Sequence, residues 1–202
     1  MRAGYMSTIL VQVIVGGLLL GAVYALFSSG LTLVWGMMNI VNFAHGDFVM
    51  LGMYVAYVVY TLFGAGPLVG APLAALVLAT LGIVVYFGLI RDIMKGPMLA
   101  QILGTFGLAL LLRYSVFWWF GANFLSLPEN LVGGTFETMG LRIQASRLLA
   151  GAVALVVTLG LHLLLTRSSL GSKMLAVAED STAAQLMGIR PDTMQALSLI
   201  HI

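Results

Sequence analysis

Asn39, Asn42, His45 and Asp47 fall within nine residues of the otherwise apolar run GLTLVWGMMNIVNFAHGDFVMLGMY, Gly30 to Tyr54. Amide, imidazole and carboxylate groups can terminate helices or hold a small polar solute. In a lipid-embedded segment each needs a partner, because no water is at hand. Two uses fit this cluster. Asn42, His45 and Asp47 can cap helix ends, with Asp47 accepting from the first-turn amides of a helix that starts at Phe48. Alternatively, Asn39, Asn42 and His45 line a polar translocation path, where the ends of a broken helix meet the carboxylate or ammonium group of a solute. Were residues 39–47 helical, Asn39, Asn42 and Gly46 would share a face. The two uses are compatible for different residues.

A second polar stretch is GSKMLAVAEDSTAAQLMGIRPD, Gly171 to Asp192. Leu175, Ala178, Thr182 and Leu186 fall near one helical face, with Glu179, Asp180 and Gln185 elsewhere, and Gly188 followed by Pro191 is a helix stop. The spacing predicts a short amphipathic helix, either held at the inner mouth of a bundle or simply joining two spans.

Other chemistries find no residues to carry them. Gly171-Ser172-Lys173 lacks the glycine-lysine order of a phosphate-binding GxxxxGK[ST] loop, so ATP binding is not expected of this chain. Neither HExxH nor a nucleophile elbow occurs, and no apolar span holds a carboxylate pair. His45, His162 and His201 are too scattered for a metal site, and His162 is expected to bond within helix packing. With no cysteine, disulfides and thiolate sites are excluded. The sequence therefore predicts no enzyme, no metal, no cofactor and no nucleic-acid partner.

The elements that must position these residues are membrane spans. Of 202 residues 61% are hydrophobic and 8% charged, with a mean hydropathy of +1.08; soluble domains carry about 25% charged residues. Asp47 is the single Asp, Glu, Lys or Arg between positions 3 and 90. The expected fold is all-α, a polytopic transmembrane helix bundle. Ser7 to Phe27 is long enough to span and is taken as a retained helix rather than a signal peptide. Phe48–Phe63, Pro67–Ile90, Met98–Phe120 and Leu148–Leu165 are the further expected spans, and Met194–Ile202 begins another. Gly30, Gly36 and Gly46 punctuate a run too short for two ordinary spans, which predicts a broken or re-entrant segment near residues 30–47. Gly17, Gly21 and Ala25 form a small-residue stripe suited to close helix approach.

Orientation follows from the basic residues. The loop Arg91 to Pro97 holds Arg91 and Lys95, and Thr166 to Thr193 holds Arg167, Lys173 and Arg190. The longer loop Gly121 to Arg147 has Arg142 and Arg147 beside Glu129 and Glu137, with Trp118 and Trp119 just before it. The first two loops are expected in the cytoplasm and the third outside. Arg113 is expected either to snorkel outward or to face a cavity.

The stretch Gly30 to Tyr54 resembles the signature of the membrane permeases of bacterial ATP-binding-cassette importers for branched-chain amino acids, the high-affinity leucine, isoleucine and valine systems. AVAEDSTAAQLMGI resembles that family's coupling loop, the EAA-type element that docks into the ATPase. The resemblance covers Ser7 to about Leu197 and implies a single transmembrane permease domain over 1–202, with a cytoplasmic coupling loop at 171–188. It implies Glu179, Ala183, Ala184 and Gly188 as coupling-loop residues, although Asp180 and Ser181 stand where the generic pattern has alanines. Implied partners are a second homologous permease, two cytoplasmic ATPases, a periplasmic substrate-binding protein and the bilayer of the bacterial inner membrane. The nine-residue end segment cannot span, and SLIHI departs from the small-residue helix expected there, so the domain is read as incomplete at its C-terminus. Permeases for urea and short amides look similar in both motifs. A different class, an autonomous channel or ion-coupled carrier, would use Asp47 and Arg113 as intramembrane charges. The exact substrate, the N-terminal orientation, the crossing or re-entry of 30–44, and a homo- or heterodimer are left open.

Overall fold

The computed structural model describes residues 2–128, 131–138 and 141–200. Glu129, His201 and Ile202 lie outside the described residues. Among those described, five helices are long and apolar enough to cross a membrane. They are α1 (Arg2–Met38), α2 (His45–Phe63), α3 (Pro67–Val85, running on through a π turn at Tyr86–Ile90 to Ile93), α4 (Met98–Phe120) and α5 (Ala145–Arg167). Three shorter helices follow: α6 (Ser169–Glu179), α7 (Ser181–Leu186) and α8 (Pro191–Ile200). This is a multi-pass membrane protein built as a helix bundle, and the expected α4 matches its observed bounds.

The chain divides into two compact units, Met1–Ser29 with Leu127–His162, and Gly30–Ser126 with Leu163–Ile202. The first holds most of α1 and α5 and an antiparallel hairpin, β1 (Thr135–Thr138) and β2 (Leu141–Gln144), which the apolar-span pattern does not signal. Glu137 and Arg142 are cross-strand partners in it and form an ion pair at 2.8 Å. Close helix approach occurs at Gly151, where a Cβ would stand 2.7 Å from Leu19 Cδ2. Among the described residues the expected stripe is not used that way, since Cβ atoms at Gly17 and Gly21 would meet nothing within 4 Å. Leu10, Val13, Ile14 and Leu18 stay exposed, as befits a solvent as apolar as the side chains.

The second unit contains the interruption. α1 continues through Gly30 and Gly36 to Met38, so neither glycine breaks it. A lone glycine costs a helix only about 1 kcal/mol, less than leaving backbone groups unpaired in lipid. The break is confined to Asn39–Ala44. Asn39 adopts φ 55° and its N–H donates to the Trp35 carbonyl at 2.8 Å, a left-handed cap that ends α1. Asparagine tolerates this region better than other side chains. Asn39→Gly should therefore leave thermal stability nearly unchanged, while Asn39→Val should lower it by about 1–2 kcal/mol, measured by thermal unfolding of the purified full-length protein.

Contacts within this unit fix the depth of the break. Thr105 reaches the Val41 carbonyl, Arg113 pairs with Asp47, and the rings of Tyr54 and Phe120 lie 4.7 Å apart. These pairs are separated by 64 to 66 positions, so α2 runs parallel to α4. Asp47 is level with a point roughly 22 Å along α4 from Met98 and about 10 Å short of Phe120, at 1.5 Å per residue. α3 passes α2 in the opposite direction, with Gly52 against Leu78 and Gly70 against Ala56. The first turn of α2 thus faces the interior of both neighbours, and in a bilayer that α3 and α4 cross, α2 begins inside it. Around it lies the main apolar core, including Val34, Met37, Ile40, Phe48, Tyr86, Leu108, Leu112, Met174 and Leu199.

Candidate functional site

The residues of the break separate by burial. Asn42, His45 and Asp47 are buried, whereas Asn39 and Gly46 are exposed, so the single shared face expected for Asn39, Asn42 and Gly46 does not form. Asn42 Oδ1 accepts from the Ala44 N–H at 3.0 Å, and the Asn42 carbonyl accepts from His45 N at 3.2 Å. This Asx turn supplies the bend that starts α2. Asn42 Nδ2 is buried without a hydrogen-bond partner among the described residues, a donor that a polar path would use. Thr105 is fully buried, and its hydroxyl lies 3.3 Å from the Val41 carbonyl, which the end of helical pairing leaves orphaned. The same hydroxyl is also within reach of the Gln101 and Ile102 carbonyls.

Asp47 is not a helix cap. α2 begins two residues before it, at His45, with Ala44 in the cap position and no side-chain cap bond. Asp47 occupies the third helical position and turns its carboxylate toward α4, where Arg113 Nε donates to Oδ1 at 3.1 Å and Nη2 to Oδ2 at 3.3 Å. The geometry is a two-pronged guanidinium–carboxylate fork. It also corrects the snorkelling option for Arg113: a carboxylate 6% exposed holds the arginine in the bundle, although the arginine side chain itself is 60% exposed. The sequence marks each residue alone and not the pair; the signal for pairing is that Asp47 and Arg113 are both charges in spans almost devoid of them.

The 171–188 segment folds as two helices rather than one. Ser168 Oγ accepts from Gly171 N at 3.0 Å and starts α6. Asp180 ends α6 in extended conformation and caps α7, its Oδ1 accepting from Thr182 N at 2.8 Å and Ala183 N at 3.0 Å. The departure from alanine at 180 thus has a local purpose. Gly171, Met174, Val177 and Ala184 form the buried side, while Leu175, Leu186 and Met187 are exposed. The expected apolar face through Leu175 and Leu186 therefore looks away from the bundle. Glu179, Ala183 and Gly188 are exposed and Ala184 is buried. Gly188 takes φ 79° and closes α7, and Pro191 opens α8 three residues before the expected start. α8 is tied to the far end of α3: the buried Tyr86 hydroxyl donates to Gln195 Oε1 at 2.7 Å, and Arg91 pairs with Asp192 at 3.0 Å. Asp180→Ala is expected to cost about 1 kcal/mol of local stability and to speed hydrogen exchange at the Thr182 and Ala183 amides, with Asp180→Asn largely retaining protection.

Among the described residues no three His, Cys, Asp or Glu side chains gather into a group that could hold a metal ion. What the arrangement offers is a hydrogen-bonding helix break inside a bundle, plus a polar two-helix loop tied back to a spanning helix.

Residues 13–201 match the family model described as branched-chain amino acid transport system / permease component. The high-affinity branched-chain amino acid transport system permease protein BraD of Pseudomonas aeruginosa is 31% identical over 201 residues, covering 94% of this chain and 66% of the relative. Its counterpart LivH of Escherichia coli (strain K12) is 27% identical over 204 residues, with 94% and 65% covered. A protein of Methanocaldococcus jannaschii named probable branched-chain amino acid transport permease protein LivH is 28% identical over 201 residues, with 94% and 61% covered. The chain thus spans just under two thirds of the length of these relatives. No solved structure matches it. A family match over residues 13–201, together with five helices long and apolar enough to cross a membrane, leads to one assignment: the chain belongs to the branched-chain amino acid transport system permease component family.

Proposed function

We propose that this chain is the membrane-spanning part of an ATP-binding-cassette importer that moves branched-chain amino acids across the bacterial inner membrane. The observation that carries the proposal is the start of α2 inside the bundle, beside buried Asn42, His45 and Asp47. Irregular backbone at that depth is tolerated where it is enclosed by protein or lines a water-filled route. In this proposal residues 1–202 form one permease domain, and Asn42 and His45 contribute polar lining to the path. Asn39 is assigned to the end of α1 instead, consistent with its backbone conformation.

Energy comes from outside the chain. The loops around Arg91–Pro97 and 166–193 face the cytoplasm, and the α6–α7 pair docks into an ATPase through its exposed side. Glu179, Ala183 and Gly188 contribute to that side, while Ala184 holds α7 against the bundle. A second homologous permease, two ATPases and a periplasmic binding protein complete the assembly.

The deciding experiment reconstitutes the full-length protein in liposomes with the second permease, the ATPases and the receptor of one importer. Labelled leucine should accumulate only with ATP and all of these partners present. Equal leucine flux through the membrane chain alone would replace the importer by an autonomous carrier.

A further inference from the structure

Beside the Asp47–Arg113 pair, toward the Phe120 end of α4, lies a cavity of about 570 Å³ whose wall includes Met50, Met53, Tyr54, Arg113, Phe117 and Asn123. Its size falls within the roughly 300–1,000 Å³ typical of small-molecule sites. The lining is largely thioether and aromatic, with a single charged side chain. That side chain is not spent on Asp47. A guanidinium has five N–H donors in a planar fork, and Asp47 takes one through Nε and one through Nη2. The outer edge formed by Nη1 and the second Nη2 hydrogen remains, and the arginine side chain is 60% exposed. A cation so exposed at this depth faces water or an anion, since contact with hydrocarbon is costly.

The geometry points to this cavity as a binding site for the amino acid in transit: its carboxylate rests on the outer fork of Arg113, and its apolar side chain lies on Met50, Met53 and Phe117. The inference rests on the importer function proposed above and adds to it a specific site. Charge favours a zwitterion here. Asp47 and Arg113 cancel, so a net-neutral amino acid leaves the site neutral while giving the free donors an acceptor. The ammonium group finds the carbonyl or hydroxyl acceptors of Asn123 and Tyr54 on the same wall.

The test uses the full-length permease assembled with the second permease, the ATPases and the receptor, and photo-leucine, a leucine carrying a diazirine in its side chain, as probe. Under turnover, photolabel should map to peptides containing Met50, Met53 or Phe117. The double variant Asp47→Asn/Arg113→Gln keeps a neutral hydrogen-bonded pair and should lose that label by about tenfold or more, as expected for a lost charge-assisted bond. Met53→Trp fills the cavity without touching the pair and should also abolish labelling, with complex assembly followed by size-exclusion chromatography. Normal leucine uptake with label confined to other segments overturns the site and leaves the importer intact. No receptor- and ATP-dependent uptake by the wild-type complex overturns the importer, and the site's ligand with it.

Discussion

Arg113→Ala is expected to destabilise the full-length protein by about 3 kcal/mol, the low end of the range for removing one partner of a buried ion pair. The cost comes from the carboxylate left behind: Asp47 is 6% exposed and has no second cation beside it among the described contacts. The end of the range is set by Arg113, whose exposed edge allows water to screen part of the charge. Asp47→Ala should cost less, because the arginine it frees can turn to water in the adjoining cavity. Asp47→Asn/Arg113→Gln should recover most of the loss, since it removes both charges while keeping donor and acceptor. Thermal or denaturant unfolding of wild type, Asp47→Ala, Arg113→Ala and the double variant Asp47→Ala/Arg113→Ala gives the coupling by a double-mutant cycle. Additive single effects would mean that the two side chains do not meet in the membrane.

The second large effect is expected at Gly171. Its Cβ position is occupied by the Leu165 carbonyl oxygen, with the Leu164 carbonyl oxygen 2.6 Å away, so any side chain meets backbone rather than a movable side chain. That approach exists because the chain turns sharply at Ser168, whose N–H and hydroxyl both donate to the Leu164 carbonyl. Gly171→Val therefore has to prise α6 from the end of α5, at a cost of about 3 kcal/mol or more. The displaced helix also carries α7 out of place, so the ATP-driven leucine uptake proposed above should fall at least as sharply as stability. Ser172→Ala is the matched control: Ser172 is exposed, and surface changes of this kind stay within about 0.5 kcal/mol. Wild-type uptake by Gly171→Val would show that the α5–α6 corner does not hold the loop.

What is legible in the sequence and what is hidden divide along the range of the interactions. Length and apolarity are properties of a segment alone, and they locate α2, α3, α4 and α5 to within three residues at most ends. The broken segment near 30–47 is legible too, because amides, an imidazole and a carboxylate crowded into an apolar run need partners that a continuous lipid-facing helix does not give them. Its edges are not. Gly30 and Gly36 look like breaks, yet the helical hydrogen bonds available across them outweigh their flexibility, and the actual end is marked by Asn39 and its positive φ. Local capping is readable in principle at Asp180, where an Asp precedes Ser-Thr-Ala-Ala at a helix start. Asp47 misleads by the same rule, since only a partner 66 positions away shows that its carboxylate is engaged across helices. Tyr86 with Gln195 is a pair of the same long-range kind.

The claim on which the rest depends is that the α1–α2 interruption lies inside the membrane and not at its surface. The 202 residues contain no cysteine, and with any cysteine elsewhere in the full-length protein replaced by serine, paired substitutions report on it directly. Val41→Cys is combined with Thr105→Cys, or with Lys95→Cys, in the full-length protein in native membranes, and each pair is treated with a short bifunctional maleimide. Val41 and Thr105 are in contact, whereas Lys95 lies in the α3–α4 loop. Crosslinking of the Val41–Thr105 pair, with none for Val41–Lys95, is the result expected of a break at membrane depth. The opposite pattern, Val41 joined to Lys95 and not to Thr105, would place the interruption at the loop surface and remove the basis for a path through it.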